Sequence, residues 1–77
     1  RETKMYPNPA KDVLNISTSV IIQKVHILDV NGKVVLTMEH IDAMDAVINT
    51  ENLAKGVYSI SVFTESGVIS KTFSKVE

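Results

Sequence analysis

A chain of 77 residues makes one domain with a thin core, since a domain of this size buries only about 60 to 65% of its unfolded surface. Its 44% hydrophobic and 22% charged residues indicate neither disorder nor a membrane span, and no apolar run approaches the ~18 residues that a membrane helix needs. Eight basic against nine acidic residues, with no basic cluster and no Trp, argue against nucleic acid as a partner, and the absence of cysteine excludes disulfides and thiolate chemistry.

The chain begins at Arg1 with nothing like a signal peptide and reads as a piece of something longer. Apolar residues then recur mostly at a period of two, in short segments separated by turn signals, which is the pattern of an all-β sandwich or barrel. Both prolines stand in "YPNP". Each lacks an amide donor and fixes φ near about −65°, and Asn8 is pushed out of the helical region by Pro9, so the segment is expected to be a stiff, extended entry. Residues 1–5 are read as the end of an upstream linker, mobile near Arg1, and 6–77 as the domain, ordered by packing from Tyr6.

In "LNIS", Leu14 and Ile16 face inward and Asn15 and Ser17 outward; in "KVHIL", Val25 and Ile27 face inward and leave Lys24 and His26 outside. Asn31-Gly32 is expected to form a type I′ hairpin turn, because that dipeptide supplies two positive φ values cheaply. Residues 33–38 are apolar on both parities, so their inner face stays unassigned. "HIDAMDAVINTENL" offers a helical turn over Ala43 to Val47 capped by Asp42, or a strand with Ile48 and Thr50 inward; the strand is preferred, as a sandwich needs one between its two hairpins. Leu53 to Tyr58, "LAKGVY", has the apolar anchor, turning glycine and strand-entering tyrosine of a tyrosine corner, in which the phenol bonds back to nearby backbone. Tyr58, Ile60 and Val62 then share the core face. Glu65-Ser66-Gly67 makes the second hairpin turn. Seven strands result, near 3–6, 12–17, 22–29, 33–39, 46–50, 57–64 and 67–75, an immunoglobulin-like antiparallel sandwich at the lower size limit.

Candidates for chemistry are few. The two histidines are His26, a surface position on a strand, and His40, in a solvated loop near Asp42 and Asp45; neither makes a nucleophile–base pair or a metal site. "DVNG" at Asp29 to Gly32 opens like a calcium loop but lacks the later acidic ligands, so a hairpin with a local Asp turn is preferred. No carboxylate pair stands out for glycoside chemistry. Of the aromatics Tyr6, Tyr58, Phe63 and Phe73, at least two are assigned to the core, which weakens an exposed aromatic platform. Asn15-Ile16-Ser17 matches a glycosylation pattern but sits on a strand. Neither an enzyme, nor a cofactor, nor a metal is expected.

Three stretches in order, "YPNPAKDVLNI", "VHILDVNGKVV" and "LAKGVYSISVFTESGVISKTFSKV", resemble the C-terminal sorting domain, of type A, of proteins exported by the type IX secretion system of Bacteroidetes. The resemblance covers about Tyr6 to Val76 and implies a sandwich of seven strands at the end of a larger secreted protein. It implies, too, that the domain is read by the outer-membrane secretion machinery. A sortase-like cysteine protease would then remove it from the upstream cargo domain, which is anchored to anionic lipopolysaccharide or released. The family's Gly-x-Tyr element and lysine-bearing last strand fall here on Gly56, Tyr58, Lys71 and Lys75. Its opening motif falls on Pro7, Asn8, Pro9 and Ala10, with Leu14 and Ile16 as the apolar pair, while Asn31, Gly32 and Leu53 have structural roles. One departure is that Lys71 is followed by Thr72 where the family often has two adjacent basic residues.

A signal of this kind would be a displayed surface. Lys71 and Lys75 share parity with Ile69 and Phe73, so their stems are expected to lie on apolar surface with both ammonium groups in water. An edge strand of that sort is suited to strand addition. Weak self-association stays open. The alternative reading is an accessory carbohydrate-binding or spacer sandwich of a surface hydrolase.

Overall fold

One strand of 16 residues, β2 (Val13–Leu28), organises the molecule in the computed structural model, which describes residues 3–77. Five others pair around it or beyond: β1 (Lys4–Tyr6), β3 (Val34–Met38), β4 (Ala43–Asn49), β5 (Gly56–Thr64) and β6 (Gly67–Lys75), and every strand pair is antiparallel. The first half of β2, through Ser17, lies between β1 and β4. Its second half, from Lys24, lies between β3 and β5, and β6 continues outward from β5. Two layers therefore share one strand, and the all-β antiparallel fold is as expected.

The expected strands 12–17 and 22–29 are one element, which is why six strands stand among the described residues where seven were expected. Thr18, Val20 and Ile21 are β-branched and hold extended backbone through the corner. A bulge at Gln23 then shifts the register, since the partners pass from Ile22↔Thr64 to Lys24↔Phe63 with one residue unpaired. The extra residue moves the buried set from Leu14, Ile16 and Ile22 to Val25 and Ile27. These side chains join Ile48, Ile60, Val62 and Phe73 in one cluster, each at most 2% exposed. Burial of each stabilises the fold by about 1.5–3 kcal/mol.

Leu36 and Met38 supply the inner face of β3, with Val34 and Val35 exposed. A register step explains the double parity there: Ile27 faces Leu36 and Leu28 faces Val34, so Val35 is the extra residue. The expected type I′ turn is not formed. Gly32 alone in that loop has positive φ, at 82°, and its N–H donates to the Asp29 carbonyl at 3.0 Å, while Asp29 N–H donates to the Lys33 carbonyl at 2.9 Å. This is a three-residue loop closed by a glycine bulge, the second common hairpin solution. Asp29 Oδ1 accepts from Asn31 N–H (2.9 Å) and Lys33 N–H (3.0 Å), so the "DVNG" carboxylate is used by local backbone.

Between β3 and β4 the chain crosses from one layer to the other over the β2 corner. Ile41 packs against the core and donates its N–H to the Gln23 carbonyl at 3.0 Å, with His40 and Asp42 on either side at φ 56° and 50°. His and Asp tolerate that left-handed region better than most residues. Asp42 caps no helix, and the segment after it is strand β4 with Ile48 buried, as preferred from the sequence. Thr50 follows, fully buried: its N–H donates to Asp12 O (2.9 Å) and its hydroxyl to Lys11 O (3.2 Å), which pins the chain entering β2.

The sheet begins at Lys4, and Met5 packs against the core, so both residues lie inside the fold although a boundary at Tyr6 was expected. The expectation of mobility at Arg1 concerns a position outside the described residues.

Candidate functional site

Tyr58 enters β5 with its ring stacked on Phe73 (centroids 5.6 Å apart, 21° between planes) and its hydroxyl donating to the Ala54 carbonyl at 2.6 Å. This is the expected tyrosine corner. Leu53 anchors it by packing on the core and donating its N–H to Thr50 O at 3.0 Å. Gly56 turns the chain at φ 148°, and a Cβ there would meet nothing within 4 Å, so backbone conformation rather than space calls for glycine. Gly56→Ala is expected to cost about 1–3 kcal/mol. Tyr58→Phe is expected to cost only about 0.5–1.5, the loss of one hydrogen bond. Urea unfolding of the two variants measures both.

In the β5–β6 register Gly56 stands across from Lys75, Tyr58 from Phe73, and Ile60 from Lys71. The Gly-x-Tyr element and the final strand are thus one cross-strand patch. Its two lysines differ. Lys71 is half-buried at the rim. Lys75 is only 7% exposed, and its ammonium group donates to the Val76 carbonyl at 3.2 Å, which corrects the expectation that both are displayed. A chain segment pairs beside it at the edge of β6.

That segment is the proline motif. From β1 the chain bends through Pro7, Asn8 and Pro9 instead of running extended as expected, and reaches the outer edge of β6, where Ala10 pairs in parallel with Lys75. Ala10 N–H donates to Ser74 O at 2.7 Å, Val76 N–H to Ala10 O at 2.8 Å, and Ser74 N–H to Asn8 Oδ1 at 3.1 Å. Ala10 itself is fully buried. The two ends of the sequence form a clasp, a tertiary feature that no local signal in "YPNPA" announces. If Lys75 serves this packing, Lys75→Met should stay within about 1.5 kcal/mol of the parent, while Lys75→Ala should lose about 1–3. Chemical denaturation of the two variants separates the stem from the charge.

The remaining candidates do not converge. His26 lies on the outer face, 3.7 Å from Glu39 and edge-on to Phe63 at 5.0 Å, and the Lys24 ammonium lies over the Phe63 ring, 4.8 Å from its centroid. Among the described residues no three His, Asp or Glu side chains gather in a way that could hold a metal, and no helix is long and apolar enough to cross a membrane. An open groove of about 520 Å³ is lined by Thr3, Met5, Asn8, Ser70, Lys71 and Thr72. It lies where the two layers part between β1 and β6.

Among solved structures the fold is similar to that of PorZ, described as an essential bacterial surface component of the type IX secretion system of Porphyromonas gingivalis. The TM-score is 0.75 at 21% identity; the match covers 97% of this chain and 11% of that one. Curated proteins give no match. The model of the secretion-system C-terminal sorting domain matches residues 4–76, from the first residue of β1 to the clasp at Val76, and the chain belongs to that family.

Proposed function

We propose that this domain is a non-enzymatic sorting signal, of type A, that directs a cargo carried upstream in the same polypeptide through the type IX secretion system to the cell surface or medium. Family membership supports the class of function. The observation that carries the mechanism is the clasp. It joins Asn8 to Ser74, 66 positions away, so the family's opening motif, Gly-x-Tyr element and last strand make one continuous surface. On this reading the outer-membrane machinery recognises a folded shape in which Gly56, Tyr58 and Lys75 build the scaffold and Lys71 is the lysine that is presented. A sortase-like cysteine protease would cut upstream of Lys4, since cleavage inside β1 would remove a strand paired with Asn15, Ile16 and Ser17.

The carbohydrate-binding alternative gains little from the outer face, where the half-buried Phe63 is already flanked by His26 and Lys24. Residues 1–77 appended to a reporter should send it out of a host that has the secretion system and leave it inside the same host without it. Export independent of the system, or none in either host, would overturn the proposal.

A further inference from the structure

The outer edge of β6 is closed at one end and open at the other. Ser74 directs both its N–H and its C=O away from β5, to Asn8 and Ala10. Backbone groups alternate along a strand, so those of Thr72, Ser70 and Val68 point the same way. β6 pairs with β5 and with Ala10 alone among the described residues, so none of these three residues has a strand partner on that side. Asn8 ends the pairing: its side chain takes the Ser74 N–H, and Pro7 and Pro9 have no N–H to continue a ladder. Beside this edge runs the groove of Thr3, Met5, Asn8, Ser70, Lys71 and Thr72, with Lys71 on its wall and no acidic side chain within ion-pair distance among the described residues.

Resting on the sorting reading, we propose that this groove accepts an extended, acid-bearing segment of a partner protein of the export machinery, which adds as a strand to β6 over Val68–Thr72 and places a carboxylate against Lys71. Backbone bonds hold the segment and the lysine sets its register. The same lysine selects against a second copy of this chain. Two β6 edges paired symmetrically about Ser70 would carry both Lys71 side chains on one face at diagonal positions, where like charges repel.

The test uses residues 1–77 fused to a reporter in a host with the secretion system. Ser70→Pro with Thr72→Pro removes two outward N–H groups without touching the bonds to β5, a position where a sheet edge tolerates proline. Exported reporter should fall by about tenfold or more, the loss of roughly two backbone bonds, while the purified fusion still unfolds cooperatively. Should the double variant not fold, Lys71→Glu decides: it leaves the ladder intact and should lower export by a similar factor, with Lys71→Arg restoring it. Export at the parent level in a folded double-proline variant or in Lys71→Glu overturns the strand site but leaves the sorting function standing. A parent fusion that is itself not exported removes the sorting reading instead. If sedimentation shows a dimer that the prolines abolish while export is unchanged, the edge serves self-pairing and the proposal falls.

Discussion

Phe73→Ala is expected to lower stability by about 3–5 kcal/mol, the largest single-residue effect in the molecule. Phe73 is 2% exposed, stacks on Tyr58, and is the one large apolar side chain that β6 sends fully into the core. Its loss leaves a cavity that Ile69 and Lys71, both at the rim, cannot fill, and it takes the packing partner from the tyrosine corner. Since small domains are stable by only about 5–15 kcal/mol, a large share of the total goes with it. Urea denaturation followed by tyrosine fluorescence measures the change. A loss below about 1.5 kcal/mol would mean that β6 is not a core strand.

Deletion of residues 70–77 should abolish both the cooperative transition and export of a fused reporter. It removes Phe73, Lys75 and the clasp together, and it exposes the edge of β5 at Ser61 through Gly56. A shorter deletion, of Val76 and Glu77, takes the bond from Val76 N–H to Ala10 O and the one from Lys75 Nζ to Val76 O, and should cost about 1–3 kcal/mol with export retained. The pair separates the two contributions of the final strand. Export of the longer deletion at the parent level would rule the strand out as part of the signal.

The inward residues were legible wherever the alternation runs unbroken. Leu14 with Ile16, Val25 with Ile27, and Tyr58 with Ile60 and Val62 are all buried as their parity predicts. Parity failed at bulges, because one extra residue reverses the faces without any compositional mark. Gln23 does this in β2 and makes one strand look like two, and Val35 does it in β3, where the inner side could not be assigned. The Asn31-Gly32 signal located the hairpin but not its turn type, since Asp29 organises a three-residue loop instead. Of the site, the tyrosine corner could be read because all its parts lie within "LAKGVY". The burial of Lys75 could not, because lysine is seldom buried and the segment paired beside it comes from the other end of the chain.

The clasp also fixes an order of events in the cell. Ala10 is made before its partners Ser74 and Val76, so the patch formed by Asn8, Ala10 and β6 cannot form until the chain has been synthesised through Val76. A polypeptide broken off before Ser74 lacks it altogether. Recognition that depends on this patch would pass over any chain broken off before Ser74.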